Sequence, residues 1–453
     1  MVEGIFGAPC IRRKQMTVLA SKQSIATADV KSPQQSPLAG VRVLFVAPDD
    51  YPAFRVDLVE LFSNHLVGRG LKIDWSLRPY ADGPKRVDVR GAERFYIARR
   101  QMTEKFGSLR YMMAETRLRL KLAWRAMCGE YNLIQIRDQP LWGIVYGIAA
   151  RISGTPFVFW MSYPVLEARM RIALHNLVPM SLPARFVRLA YAVIGSALFY
   201  RIVLPLSDHV IVQSKRMLER VAERGIPTKK MTPVPMGVTV ERYNPASIPA
   251  TDDPRLIGKK SMAYMCADVL NLTTRLTFEA LALLVANGYD TVLVIIGAVA
   301  AHEREQLASQ LDRLGLSERV IFTGRLPLVE ALGWVKRVDV CLSPFEMDAA
   351  QQVATPTKLV EYMAMGRPIV ATVHYDQSEV VNRSGAGIVT AFSGEAIAEG
   401  VARLFDDPDK ARTMAAKGPV WVKANRDYAR LADEVERVYT SLLARQWSRE
   451  LRL

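Results

Sequence analysis

A chain of 453 residues, half of them hydrophobic, has material for two or three domains with substantial cores. Its four cysteines, Cys10, Cys128, Cys266 and Cys341, lie too far apart for a disulfide framework or a metal-ligand motif, which fits a reducing, cytosolic compartment. The net charge of +15 is uneven: residues 1–250 hold 36 Lys and Arg against 19 Asp and Glu, or +17, and the rest 24 against 26, or −2.

A basic first half asks for an anionic partner, either nucleic acid or the anionic cytoplasmic leaflet of a membrane. No nucleic-acid-binding motif accompanies the charge, so nucleic acid is the weaker of the two. The N-terminus, MVEGIFGAPCIRRKQM, puts its basic cluster after its apolar residues, the wrong order for a secretory signal. Residues 17–37 are rich in Ser, Gln, Ala and Lys, and a disordered tail is expected over 1–40.

Residues 41–47 read as a buried parallel strand and Pro48-Asp49-Asp50-Tyr51-Pro52 as the turn after it. Residues 56–67 repeat at helical spacing, with Leu58, Leu61, Phe62 and Leu66 inward, and a second strand follows at 71–77. The opening is Rossmann-like, but no glycine-rich phosphate fingerprint follows the strand, so this domain is not expected to hold a dinucleotide. Residues 94–125 carry nine Lys or Arg and two Glu among aromatic, Leu and Met residues. They read as a helical segment, either a membrane-surface or partner-binding helix or an ordinary amphipathic one.

The strand at 133–138 ends in Arg137 and Asp138, at the end where open α/β sheets bind ligands. A helix at 142–152 and a strand at 157–161 follow, running into Ser162-Tyr163-Pro164. Residues 189–200 are apolar and flanked by Arg185, Arg188 and Arg201. Twelve residues are too few to span a bilayer, which takes roughly 20. The run is either a buried helix or an interfacial one with arginines at headgroup level, and its place in the basic half favours the second. A strand at 208–213 and a helix at 215–224 come next, and the polar, proline-containing stretch 245–254 reads as the linker.

The second domain opens with a strand at 260–266. Arg275 is the only basic residue in the following loop and early helix, which makes it a diphosphate candidate. Strands are expected at 291–296 and 320–325, a helix at 303–314 between them, and a long helix at 428–446. The most informative stretch is 343–372. Pro356 and Thr357 can start a helix, Leu359, Met363 and Ala364 give it one apolar stripe, and Gly366 can end it in a left-handed turn before a strand at 369–372. Lys358 then sits in the first turn, where amide donors and the helix dipole favour an anion. Glu361 lies three residues on, able to accept hydrogen bonds from vicinal hydroxyls. A cation at a helix start beside a carboxylate suits a nucleoside diphosphate; a plain helix start with solvated charges would carry the same residues.

Residues 356–368 resemble the donor-binding signature of family 4 glycosyltransferases, in the branch whose helix begins Pro-Thr-Lys-Leu or Pro-Ser-Lys-Leu. The resemblance extends over roughly residues 41–446. It implies the GT-B fold: an α/β protein with two Rossmann-like domains facing a cleft, the nucleotide sugar held mainly by the C-terminal one. On this reading Lys358 meets the diphosphate and Glu361 the ribose, with Thr357 at the helix start, and the base lies against the turn at Gly324 and Arg325. Arg275 joins Lys358 in neutralising the leaving group. The family's usual signature has two glutamates separated by seven residues. The earlier position here is Val353, and Glu346 is the nearest carboxylate that can stand beside the transferred sugar.

The same resemblance puts Asp49 and Asp50 on the acceptor side with Arg137, Asp138, Ser162 and Tyr163. No histidine stands near Ser162, where many relatives carry one, and Met236 stands where Asn is usual. The implied organisation is a tail at 1–40, an acceptor-side domain at 41–245, a donor domain at 255–426 and a helix at 427–453 crossing back. No metal or other cofactor is implied; the nucleoside diphosphate sugar is a substrate. The expected activity is retaining sugar transfer to a lipid-linked or membrane-proximal saccharide, as in bacterial polysaccharide or glycolipid assembly. The protein would be cytoplasmic and peripheral on the inner face of the membrane. A nucleotide-sugar epimerase on the same architecture and a non-catalytic nucleotide-binding descendant are the rivals.

Overall fold

The computed structural model describes residues 36–52, 55–103, 106–175, 181–267, 269–346, 348 and 351–450, the stretch 447–450 by backbone alone. Apart from residues 36–40, the tail expected over 1–40 lies outside them. The chain divides into two units. An N-terminal one runs to Met236 and includes Val353–Thr355 and the helix Tyr428–Glu450; a C-terminal one holds Gly237–Gln352 and Pro356–Asp427. The boundary thus precedes the stretch 245–254 read as a linker. Tyr243, Ile248 and Leu256 are buried in the core of the C-terminal unit, so that stretch is anchored there.

The N-terminal unit is built on eight strands: β1 (Arg42–Tyr51), β2 (Lys72–Pro79), β3 (Arg86–Arg90), β4 (Glu93–Ile97), β5 (Leu133–Arg137), β6 (Phe157–Met161), β7 (His209–Val212) and β8 (Met231–Pro233). Their spatial order is β3-β4-β2-β1-β5-β6-β7-β8, and only β3 runs antiparallel. The strand order therefore reverses between β1 and β5, which is the switch point of a doubly wound sheet. Alternate side chains of each strand feed two layers. Phe45, Ile73 and Trp75 pack with the helices Asp57–Leu66 and Tyr428–Glu450. Leu44, Val46, Ile134 and Ile136 pack against the helices Gly107–Met127 and Pro140–Ser153 and the segment Phe199–Val203.

Three local expectations change. Asp49 and Asp50 are not in a turn: after an irregularity between Val46 and Asp50, β1 resumes pairing, with Asp50 opposite Arg78 and Tyr51 opposite Pro79. Residues 94–125 are not one helix. Glu93, Phe95 and Ile97 are buried in alternation on β4, and the helix starts only at Gly107. The period-two burial places Phe95 and Tyr96 on a strand, which the dense basic residues obscured. Finally, the apolar run 189–200 belongs to 25 continuous helical residues, Leu182–Leu206, which include an 18-residue window of mean hydropathy 1.7, rather than to a twelve-residue helix. That length suffices to cross a bilayer. Ala192, Gly195, Phe199 and Val203 nevertheless bury one stripe of it in the unit's core.

The C-terminal unit has six parallel strands: β9 (Lys260–Met265), β10 (Thr291–Ile296), β11 (Val320–Gly324), β12 (Val340–Ser343), β13 (Ile369–Thr372) and β14 (Gly387–Thr390). Their order, β11-β10-β9-β12-β13-β14, again reverses, here between β9 and β12. The strands are continuous apolar runs because both faces are covered. Ala263, Val294 and Cys341 face one core, Tyr264, Leu293 and Leu342 the other. Both sheets are thus Rossmann-like.

Candidate functional site

In a doubly wound sheet, ligands bind outside the carboxyl ends of the strands at the switch point. In the C-terminal unit that point brings β9 together with the helix Thr357–Ala364. The helix starts as expected after Pro356, buries Leu359, Met363 and Ala364, and is followed by Gly366 in a left-handed turn, φ 61°. Thr357 does not cap it. The N-cap position is Pro356, whose side chain accepts nothing, so the first-turn amides have no side-chain cap.

Lys358 stands over this opening. Its Nζ lies 4.4 Å from the centre of the Tyr264 ring on β9, a cation–π contact. Burial lowers its pKa to about 8, with Cys266 and Glu361 nearby acting in the opposite direction. Glu361 is raised, again by burial, and its Oε1 accepts a 2.8 Å hydrogen bond from the Tyr243 hydroxyl, which opposes the shift. The Tyr362 hydroxyl accepts from the Met265 amide at 2.7 Å and ties the helix to the end of β9. Cation, carboxylate and uncapped amides are therefore held by packing before any ligand arrives. Tyr243 and Tyr264 were not singled out in the sequence: one is remote in the chain, the other one apolar-looking strand residue among many.

The remaining donor-side candidates lie more loosely. Gly324 ends β11 with φ 72° and open space where a Cβ would be, and Arg325 beside it is exposed. Arg275 lies in the helix Leu272–Ala286, is well exposed, and sits 3.6 Å from Glu279. It lines a cavity of about 260 Å³ with Asn271, Gln306 and Gln310, whereas Lys358 neighbours Tyr264 and Glu361. Glu346 is exposed in the loop after β12, whose Phe345 is clasped by Thr372: the Phe345 amide donates to Thr372 Oγ1 at 2.8 Å, and that hydroxyl donates back to the Phe345 carbonyl at 3.1 Å. Farther along this loop the Gln351 carbonyl lies 2.9 Å from Nε2 of the buried His374. His374 was also missed, because a lone histidine at a strand end carries no pattern. Val353 is buried in the core of the N-terminal unit. Its carbonyl accepts from Ser214 Oγ at 2.7 Å, and Thr355 Oγ1 accepts from the Met236 amide at 3.0 Å.

At the switch point of the N-terminal sheet, the ends of β1 and β5 assemble a second polar cluster around Arg137, whose side chain is 1% exposed. Its Nη2 lies 2.8 Å from Asp57, and its Nε 3.5 Å from Asp138 and 3.9 Å from Asp49. Burial works against the guanidinium's charge, yet the three carboxylates hold its pKa above the ordinary arginine value. Burial raises Asp49 and Asp138; it also opposes ionisation of Asp57, but Arg137 and Arg55 keep that carboxyl below its usual range.

Asp138, with φ 48°, accepts from the Ser162 and Tyr163 amides and the Ser162 hydroxyl, so its oxygens are spent on the turn after β6. Asp50 pairs with Arg78 at 3.3 Å. Asp49 Oδ2 and Arg137 Nη1 remain buried without a hydrogen-bond partner, one acceptor and one donor at the ligand-binding end of the sheet. Among the described residues, no group of three His, Cys, Asp or Glu is placed to hold a metal ion.

Residues 269–407 match the family model described as glycosyl transferases group 1. No curated protein sequence matches the chain. Among solved structures, HepE of Anabaena in complex with UDP is 17% identical, with a TM-score of 0.59, over 88% of this chain and 100% of that one. Sucrose-phosphate synthase of Thermosynechococcus elongatus is 16% identical, with a TM-score of 0.64, over 89% and 99%. WaaG, a glycosyltransferase involved in lipopolysaccharide biosynthesis, is 14% identical, with a TM-score of 0.60, over 88% and 99%.

Proposed function

We propose that this protein, an enzyme of the glycosyltransferase class with the GT-B architecture, moves a sugar from a nucleoside diphosphate sugar to a lipid-linked or membrane-proximal saccharide, retaining anomeric configuration. The observation that carries the donor half is Lys358, held over Tyr264 at the uncapped start of its helix, with Glu361 oriented by Tyr243. A desolvated ammonium and uncapped helix amides offset charge that grows on a departing diphosphate, and they do so without rearranging. Glu361 accepts from the ribose hydroxyls. Glu346 is the carboxylate assigned to the transferred sugar, and Arg275 and the Gly324–Arg325 turn complete the donor contacts. We place the chain in the Pro-Thr-Lys-Leu branch of family 4 on its helix start at Pro356, Thr357, Lys358 and Leu359.

On the acceptor side, Asp49 and Arg137 offer the open acceptor and donor, while Asp50, Asp138, Ser162 and Tyr163 shape the edge. The membrane half of the proposal rests on one layer of the N-terminal unit. Phe186, 72% exposed, and Val187 and Ile194 on the helix Leu182–Leu198 face outward, as do Leu120 and Trp124 on the helix Gly107–Met127. Arg117, Lys121 and Arg201 are exposed on the same layer. Exposed apolar side chains alongside exposed arginines and lysines suit an anionic leaflet, with the protein peripheral on its cytoplasmic side. Incubation with a panel of nucleotide sugars and lipid-linked saccharides tests the reading. Transfer of one sugar, abolished in Lys358→Ala, is the expected result. Interconversion of sugars without transfer would favour the epimerase, and tight nucleotide binding with neither would favour a binding module.

A further inference from the structure

The amino ends of β1, β2 and β4, opposite the edge described above, enclose a separate cavity of about 410 Å³. Its walls are Arg42, Lys72, Arg94 and Glu130, with Gly40, Gly91 and Ala92. Strand register explains the gathering. Arg42 pairs with Lys72 across β1 and β2, and Asp74 pairs with Arg94 across β2 and β4, so all four side chains leave the same face of the sheet. The two carboxylates here are already engaged. Asp74 lies 3.6 Å from Arg42 and 3.8 Å from Arg125, and Glu130 takes a 2.7 Å contact from Arg125.

Four cations against two carboxylates leave a surplus of two positive charges. Lys72 and Arg94 are exposed and pair with no carboxylate among the described residues, and Arg42 Nε is buried without a hydrogen-bond partner. No step of sugar transfer uses this end of the sheet. The pocket also belongs to the layer on which Trp124, one residue before Arg125, stands 65% exposed.

We infer that the cavity binds a phosphate group, taken either from a lipid headgroup or from a small soluble phosphate. A phosphate monoester carries about −1.5 to −2 charges at neutral pH, which the surplus matches, and its oxygens suit arginine forks and a lysine. The test is calorimetry of the full chain with inorganic phosphate, alongside flotation with phosphatidylcholine vesicles with and without phosphatidic acid. The variant is Lys72→Gln/Arg94→Gln. The control is Lys410→Gln/Arg412→Gln, which removes the same charge from the exposed face of the helix Pro408–Asn425 in the C-terminal unit.

The expected result is phosphate binding weakened at least about tenfold in the pocket variant and unchanged in the control, with UDP binding equal in both. If phosphatidic acid vesicles discriminate the two variants as well, and free phosphate competes, the source is a headgroup. If only free phosphate discriminates them, it is a soluble phosphate. No phosphate binding by the wild type, or equal loss in both variants, overturns the assignment.

Discussion

Both sheets are doubly wound, yet their switch points are chemically opposite. At the C-terminal one, a cation is held against an aromatic ring with its charge disfavoured by burial and its helix amides uncapped. At the N-terminal one, Arg137 is enclosed by Asp49, Asp57 and Asp138, and most of the charge is spent within the protein. The first arrangement gains when an anion arrives, because a ligand supplies the counter-charge that the fold withholds. The second gains little from charge and offers single hydrogen-bonding atoms instead, as recognition of a neutral hydroxyl requires. The two switch points can therefore be told apart by how completely each unit neutralises its own charges.

Breaking the internal cluster should have the largest effect. Arg137→Met leaves three carboxylates without their shared cation, and removing one partner of a buried pair costs about 3–5 kcal/mol. Denaturant unfolding should show that loss, and Asp57→Asn in the same chain should restore part of it. Unchanged stability would mean that the three carboxylates do not depend on Arg137, and would erase the contrast. Lys358→Ala should act the other way round. UDP affinity should fall by about 2–5 kcal/mol in calorimetry while stability stays or rises, since a disfavoured buried charge has been removed. Wild-type affinity in this variant would dismantle the donor site.

The pH dependence sharpens the same point. Free Lys358 titrates near pH 8, and a bound diphosphate, being anionic, must raise that value. Affinity for UDP should therefore be full below about pH 8 and fall by up to about tenfold per unit above it, until the bound pKa is reached. Lys358→Arg, which keeps its charge throughout, should flatten the profile. A flat wild-type profile across this range would mean that the lysine does not meet the phosphates.

What was legible in the sequence follows from how far apart the parts lie. The helix at 357–364, Lys358 and Glu361 are one local stretch, and spacing alone put them in one place. The cluster at the N-terminal switch point joins residues 49, 57, 137–138 and 162 from separate strands and turns. Asp138 looked like a ligand-facing charge because nothing in the chain says that Ser162 and Tyr163 would consume it. Asp57 stood at a helix start and could have been singled out there, yet its partner lies 80 residues on. Tyr243 and Tyr264, which orient Glu361 and Lys358, had no local signal at all. The fold class was readable since both sheets are built from buried apolar runs separated by helices. Residues 94–125 were misread because basic residues hid a strand with period-two burial.

The smallest expected effect on stability separates surface from core in the helix Leu182–Leu198 and the segment after it. Phe199 is 3% exposed and packs on Phe159, so replacing it would damage the fold and say nothing of a membrane. Phe186 and Ile194 lie on the outward side of the same apolar helix. Phe186→Ser/Ile194→Ser should leave unfolding free energy within about 0.5 kcal/mol per site, as surface substitutions do. The same variant should lose the fraction of anionic-vesicle binding that survives high salt, because salt screens the arginines over about 8–10 Å but leaves apolar insertion in place. A marked fall in melting temperature would show that this face is covered by protein. Vesicle binding equal to wild type at high salt would leave charge alone to carry any attachment.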